Sequence, residues 1–490
     1  MDRLREVVRA RTDDALTDLQ RLLRQPSIAA TGEGIPECAA LVASLFQQAG
    51  AEVTVLRAEG AAPLVVALFP GRGARTLLFY NHYDVQPPDP LDEWVTPPFQ
   101  PSVRDGRLYA RGAADNKGDL VSRLWAVRVL REAHGGLPCR VKFIVEGEEE
   151  IGSVHLSHYI RAHRELLAGD ACIWEFGERD MQERLNLVAG VKGICYLDLS
   201  LVAAARDLHS QYGAIVEGAA MRLIWALATL KDPATGRVLV EGFYDRVRQP
   251  TPEEEAAVRA LPFDEAQRKA YYGVRSWIGG KRAEAAQYDL YFSPTCTVCG
   301  FASGYTGPGS KTVLPHRATA KLDFRLVPDQ DPEEITALVR RHFAARGYPE
   351  IDVRLLGGER AYRSPLRDPF VQLVARVAAR ATGREVLLKP TSGGTGPMYP
   401  LGSTLGVPIV SLGAAYWASG GHAPNEHIRL ADFEETIDLL ARIMAAYGEE
   451  GSSGVRRLLH RDLPDDAGGW VEPQDHRHPR DDLLPGPHPS

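Results

Sequence analysis

The sequence contains no uninterrupted apolar run that approaches the roughly 18 residues a membrane-spanning helix needs. It has no long basic run either: 57 Lys and Arg stand against 64 Asp and Glu, for a net charge of −7. Nucleic acid is therefore not expected as a partner, because phosphate binding needs clustered cations. Cysteine is scarce, and six in 490 residues are too few for a disulfide scaffold and fit a reducing compartment. The N-terminal segment mixes charges throughout and lacks the apolar stretch of a signal peptide. These absences predict a cytoplasmic protein with no membrane and no nucleic-acid partner. What is present is ordinary: 44% hydrophobic and 25% charged residues predict a globular chain, and the length predicts two to four domains.

Apolar positions at Leu4, Val7, Val8, Leu16, Leu19, Leu22 and Leu23 have helical spacing, with Pro26 as the stop. A second helix is predicted over 38–50 and strands over 51–56, 63–69 and 76–82. A helix over 118–136 and a buried-type strand from 139 follow. Helices alternating with nearly all-apolar strands predict an α/β layer with helices on both faces. The middle differs: strand 193–203, helix 219–230, strand 318–327, helix 332–346 and strand 351–356 suggest a smaller α+β domain of split βαβ type. Residues 1–199 and 359–450 are thus expected to form one domain interrupted by an insertion over 200–358. Residues 451–490 hold six of the 34 prolines and are expected to be a flexible tail docking at most through Trp470, with His476 and His478 solvated.

Metal-ligand residue types recur where apolar strands run out into Gly-rich loops. In NHYDVQP, His82 stands at a strand end, and Asp84 lies on the same side of an extended chain, placed to orient the imidazole. In RGAADNKG, Asp115 precedes a helix; alone it would read as an N-cap. In VEGEEEIGS, Glu146, Glu148, Glu149 and Glu150 crowd at the end of a buried strand, a cost that cations would relieve. His422 follows Gly420 and Gly421 in GGHAPNE, and Glu175 follows another strand in DACIWEFGE. His, Asp, Glu, Glu and His fit two divalent ions sharing a bridging carboxylate better than one four-coordinate zinc. Cys296 and Cys299 have C-x-x-C spacing, but on an extended strand they face opposite sides and would not share an ion. Glu253 to Ala260 reads as the start of a helix after Pro252.

Together, in this order and spacing, NHYDVQP, RGAADNKG, EGEEEIGS and GGHAPNE resemble a zinc-dependent metallopeptidase family. That family contains carnosinase-like dipeptidases, aminoacylases, glutamate carboxypeptidase and succinyl-diaminopimelate desuccinylase, and the similarity spans roughly residues 1–450. The resemblance implies an α/β fold, a mixed sheet flanked by helices, with an inserted ferredoxin-like lid and dimerisation domain. It implies two divalent ions, zinc first, with manganese or cobalt also suited to the ligands. One would be held by His82 and Glu175, the other by Glu150 and His422, with Asp115 bridging and a cis bond to Asn116. Aligned on Gly152 and Ser153, Glu149 corresponds to the general base, with Glu148 the neighbouring register. His209 in RDLHSQYG corresponds to a histidine that stabilises the oxyanion across a homodimer interface, although Gln211 stands where Gly is common. Arg325 in KLDFRLVP corresponds to the residue that binds the substrate's carboxylate, and Thr312, Gly394 and Thr395 to substrate contacts. The implied substrate is a dipeptide or small peptide with a free carboxylate. Glu175 stands where the family's peptidases tend to have Asp and its deacylases Glu, so an N-acyl amino acid is the alternative, and a non-catalytic peptide-binding protein a remote one.

Overall fold

The computed structural model describes residues 2–450; the expectations for Trp470, His476 and His478 lie outside the described residues. Its main sheet has six strands in the order Glu52–Leu56, Leu64–Phe69, Arg140–Glu146, Thr76–His82, Ala171–Trp174 and Ile409–Ser411. The first three pair antiparallel and the remaining contacts are parallel, so the sheet is mixed. Strand side chains alternate between faces. Phe79 and Phe143 point into a core shared with helices Arg3–Leu23, Ile35–Gln48, Lys117–His134, Pro369–Thr382 and Leu430–Glu450. Their neighbours Tyr80, Ile144 and Trp174 point into a second core with Leu156, Met398 and Ile409. Both faces are buried, which is why these strands read as continuous apolar runs. The Ile35–Gln48 helix begins three residues ahead of the expected start because Pro36 occupies its first turn, where a missing N–H costs nothing.

A second, antiparallel sheet runs Thr297–Ser303, Arg317–Leu326, Gly193–Val202 and Asp352–Glu359. Strand Gly193–Val202 alternates buried and half-buried positions. Cys195, Leu197, Leu199 and Leu201 enter a separate core with Leu223, Phe324, Val339 and Val353. Helices Ala219–Ala228 and Pro332–Ala345 cover that face. This sheet takes in Gly193, ahead of the boundary expected at residue 200. The chain enters and leaves it through a two-residue antiparallel pair, Gly190–Val191 with Tyr362–Arg363.

The excursion within this region is a helical block, Pro252–Ala260, Glu265–Tyr272 and Ala283–Phe292. Pro252–Ala260 starts with a capping box from Thr251 and Glu254. Val258, Leu261, Tyr291 and Phe292 pack on Leu387, and Glu254 meets the buried Arg363 at 3.3 Å. All six cysteines carry free thiols; Cys296, just ahead of strand Thr297–Ser303, is buried, and Cys299 within it is exposed. Among the described residues no helix is long and apolar enough to cross a membrane.

Candidate metal centre

Parallel strands end at one edge of the main sheet, and the candidate ligands leave from that edge. His82 ends the fully buried strand Thr76–His82, and Glu175 follows Trp174 on the neighbouring strand. Glu149 and Glu150 open a short helical turn beyond Glu146. Asp115 precedes helix Lys117–His134, and its peptide bond to Asn116 is cis. His422 has a left-handed backbone, φ 65°, and a side chain on the preceding Gly421 would lie 3.8 Å from the Asp115 carboxylate.

Asp115 sits between two imidazoles, Oδ1 3.0 Å from His82 Nε2 and Oδ2 3.0 Å from His422 Nε2. Glu175 Oε2 is 3.5 Å from His82 Nε2, and Glu150 Oε2 is 3.2 Å from His422 Nε2. The five residues thus fall into two halves joined by one carboxylate. The first half is closed, with the His82 side chain 1% exposed; the second opens outward, with His422 at 56%. Asp84 faces the far nitrogen of His82 through its backbone carbonyl at 3.0 Å and its carboxylate at 3.3 Å. Its other carboxylate oxygen accepts from the Glu150 amide, so one residue orients a member of each half. Gln86 donates to Glu150 at 2.9 Å.

Glu148 and Glu149 point apart. Glu148 accepts from the amides of Ala62 and His155 and pairs with the His155 ring, which removes it from the centre. Glu146 accepts from the Tyr80 and Ser153 hydroxyls, and burial pushes its carboxyl well above the usual range. The Glu149 carboxylate has no hydrogen-bond partner among the described residues. Burial first, then Asp115, Glu150 and Asp84, push its carboxyl up to about 8, against the pull of His82.

The two imidazoles respond to this crowd of carboxylates. Burial lowers His82, but Glu175, Asp115 and Asp84 outweigh it and the pKa ends well above that of free histidine. His422 rises to about 10 through its bonds to Asp115 and Glu150. Burial would raise Asp115, yet the two histidines hold it below the usual carboxylate range. Among the described residues Glu175 Oε2 and Asp84 Oδ1 are buried without a hydrogen-bond partner, meeting the His82 ring at 3.5 and 3.3 Å respectively. Orphaned carboxylate oxygens amid several acidic neighbours are a donor set short of cations, and the residues present fit divalent ions.

Three residues that frame the centre carried no assignment in the sequence. Glu426, fully buried, accepts from Arg111 Nη1 at 2.8 Å and from the amides of Gly112, Ala114 and Asp115 at 2.8–2.9 Å. It fixes the loop that presents Asp115. Arg123, also fully buried, donates to the carbonyls of Tyr80, Trp174 and Leu412 and to Asn81 Oδ1, drawing together the strand ends that carry His82 and Glu175. Asn116 donates to the Glu175 carbonyl and accepts from Asn81. The available signals were an acidic residue inside the GGHAPNE motif and a lone Arg on the apolar face of a helix.

Candidate substrate residues divide. Arg325 Nη1 donates to Thr395 Oγ1 at 2.8 Å and Nη2 meets Asp323 at 3.2 Å; Thr395 donates on to the Gly193 carbonyl. Gly394 precedes Thr395, and at Gly396 a side chain would lie 3.4 Å from Trp174 and 4.0 Å from Glu149. Gly394 and Thr395 therefore stand on a loop that borders Glu149, and Arg325 reaches that loop from strand Arg317–Leu326. His209 and Thr312 lie together elsewhere: both are exposed, strand Leu208–His209 pairs with Val313–Leu314, and Ser210 donates to the Thr312 carbonyl. The His209 ring accepts from the Gln211 amide, and no contact among the described residues ties this pair to the ligand cluster.

Comparison with known proteins agrees with this architecture. Residues 78–446 match peptidase family M20/M25/M40. The chain is 32% identical over 273 residues to the Beta-Ala-His dipeptidase of Rattus norvegicus, a match covering 55% of each chain, so it spans about half the length of that relative. It is 30% identical to the Cys-Gly metallodipeptidase dug1 of Schizosaccharomyces pombe over 70% of this chain and 75% of that one. Among solved structures it superposes on the M20 family metallo-carboxypeptidase Sso-CP2 of Sulfolobus solfataricus with a TM-score of 0.84 and 39% identity, covering 89% of this chain and 99% of that chain. Family match, mixed sheet and ligand edge agree, and the chain belongs to peptidase family M20/M25/M40.

Proposed function

We propose that this chain is a metal-dependent hydrolase that cleaves the peptide bond of dipeptides or similarly small peptides beside a free carboxylate. The observation that supports this reading is the 394–396 loop: Thr395 accepts from the Arg325 guanidinium, a fork suited to a carboxylate, and a side chain at Gly396 would lie 4.0 Å from Glu149. The names of the relatives, two dipeptidases and a carboxypeptidase, support it. His82 and Glu175 would hold one cation, Glu150 and His422 the other, and Asp115 would contact both. When bound, two divalent ions supply polarisation of the scissile carbonyl and a water nucleophile at neutral pH. Glu149, free of other partners, takes the proton from that water and returns it to the leaving amine. Asp84 and Glu426 hold ligands in place.

One observation favours a second reading, an amidohydrolase acting on N-acyl amino acids: residue 175 is Glu, the type found in the family's deacylases. The experiment is a panel of dipeptides beside N-acetyl and N-succinyl amino acids, assayed after chelation and after reloading with zinc, manganese or cobalt. Turnover of dipeptides restored by metal is expected. Turnover confined to the acyl compounds would replace the first reading by the second.

In the same reading the inserted region serves as lid and dimerisation domain. Helix Ala219–Ala228 exposes Met221, Ile224 and Trp225 on one side, with Ile215 nearby in sequence, and among the described residues no contact ties His209 to the centre of its own chain. Sedimentation should give a dimer that Trp225→Glu disrupts, and a monomeric, active wild type would end this part of the proposal.

A further inference from the structure

Lys192 occupies the crossover between strand Gly190–Val191 and strand Gly193–Val202, and only 3% of it is exposed. Its ammonium donates to the Ser293 carbonyl at 2.7 Å and reaches the Asp289 carbonyl at 3.4 Å, the last acceptors of helix Ala283–Phe292. A cation there satisfies the Ser293 carbonyl, adds a second donor to the Asp289 carbonyl that already accepts from the Ser293 amide, and complements the helix dipole. Its backbone amide donates to the Gly394 carbonyl, and Lys192 pairs with Thr395 in an isolated parallel bridge.

Both connections lead to Arg325. Thr395, held by Lys192 on one side, receives the Arg325 guanidinium through its hydroxyl. Two residues beyond Ser293, the Thr295 amide donates to the Arg325 carbonyl, and the Arg325 amide donates to the Thr295 hydroxyl. Lys192 thus stands behind both supports of Arg325: the loop whose Thr395 accepts from the guanidinium, and the helix end that leads to Thr295 on the Arg325 backbone. The arrangement has an energetic oddity. Burial, then the like charge of Arg363, lowers the Lys192 ammonium to about 8, with Arg325 adding and Asp289 opposing. A methionine of similar volume would fill the space without that cost, so packing alone does not account for a cation here.

We propose that Lys192 is a positioning residue that sets Arg325 to receive the substrate's carboxylate. This rests on the reading of Arg325 given under Proposed function. Lys192 does not touch substrate; its ammonium fixes the helix end that leads to the Thr295 and Arg325 backbone pair, and its main chain fixes the 394–395 loop whose Thr395 receives the guanidinium.

The test uses the metal-loaded full chain, the dipeptide turned over fastest in the panel, and the C-terminal amide of that dipeptide. Lys192→Met is expected to raise KM for the free acid about tenfold, the scale of one lost charged hydrogen bond. The kcat, the metal content and the KM (or inhibition constant) of the amide should stay near wild type. Lys192→Arg, which keeps a buried donor, should recover part of the loss. Arg325→Met should show the same selective loss, and the double variant should be no worse than Arg325→Met alone, because both changes act through one group. Equal losses on acid and amide, or additive effects in the double variant, would overturn the role of Lys192 while leaving Arg325 in place. Absence of acid selectivity in Arg325→Met itself would overturn the reading of Arg325, and the Lys192 proposal with it.

Discussion

Glu149→Gln is expected to lower kcat by about 100- to 10,000-fold, the range for loss of a positioned general base, while two equivalents of metal remain bound. The substitution keeps the shape of the side chain and removes its capacity to take a proton. Its effect on the ligands should be small, since Glu149 stands apart from the His82, Asp115, Glu175 and His422, Asp115, Glu150 contacts. Burial and three neighbouring carboxylates already push its carboxyl up to about 8, so neutralising it relieves repulsion instead of creating it. Steady-state kinetics and metal content by atomic emission measure the two halves of this expectation. An unchanged rate would remove Glu149 from the mechanism. Transfer of the whole effect to Glu148→Gln would be hard to reconcile with a Glu148 carboxylate already engaged by His155 and Ala62.

The second large effect is expected away from the ligands, at Glu426. Glu426→Ala strips the partner from Arg111, whose side chain is 1% exposed, and from three backbone amides. An uncompensated buried guanidinium costs about 3–5 kcal/mol, to be read as a lowered midpoint in thermal or denaturant unfolding of the metal-free protein. Burial, with Asp115 adding to it, raises the Glu426 carboxyl above its usual range, against the pull of Arg111 and the amides of Gly112 and Asp115. Because one of those amides belongs to Asp115, metal affinity should also fall, by about 10- to 100-fold as for other residues that orient a ligand. Competition with a chromophoric chelator measures it. Wild-type stability together with wild-type affinity in Glu426→Ala would mean that the Asp115 loop keeps its shape without this carboxylate.

The contrast between Glu149 and Glu426 shows what the sequence displays and what it hides. His82, Asp115, Glu150, Glu175 and His422 are legible because each follows an apolar strand or a Gly-rich turn, so local context says that a polar group is being placed at a sheet edge. Glu426 and Arg123 work through partners far away in sequence. The Leu412 carbonyl that Arg123 holds is 289 residues distant, and no spacing rule connects them. The two alternating layers of the main sheet were legible for the same local reason as the ligands. The helical block over 252–292 was only partly so: Pro252 marks one start, but Ala283–Phe292 gains its place by packing Tyr291 and Phe292 on Leu387, a tertiary contact. Glu148 and Glu149 were adjacent choices in the sequence; His155 separates them by claiming one.

The pairing of Gly190 with Arg363 and of Val191 with Tyr362 means that the inserted region departs and returns at a single point. Its two ends are one strand spacing apart, about 4.8 Å, which makes the junction a splice site. Any foreign domain whose termini lie that close can be grafted there without shifting the register of the catalytic sheet. The graft must bring an acceptor of its own for the cation at Arg363, because Glu254, which meets it now, lies inside the segment that would be removed.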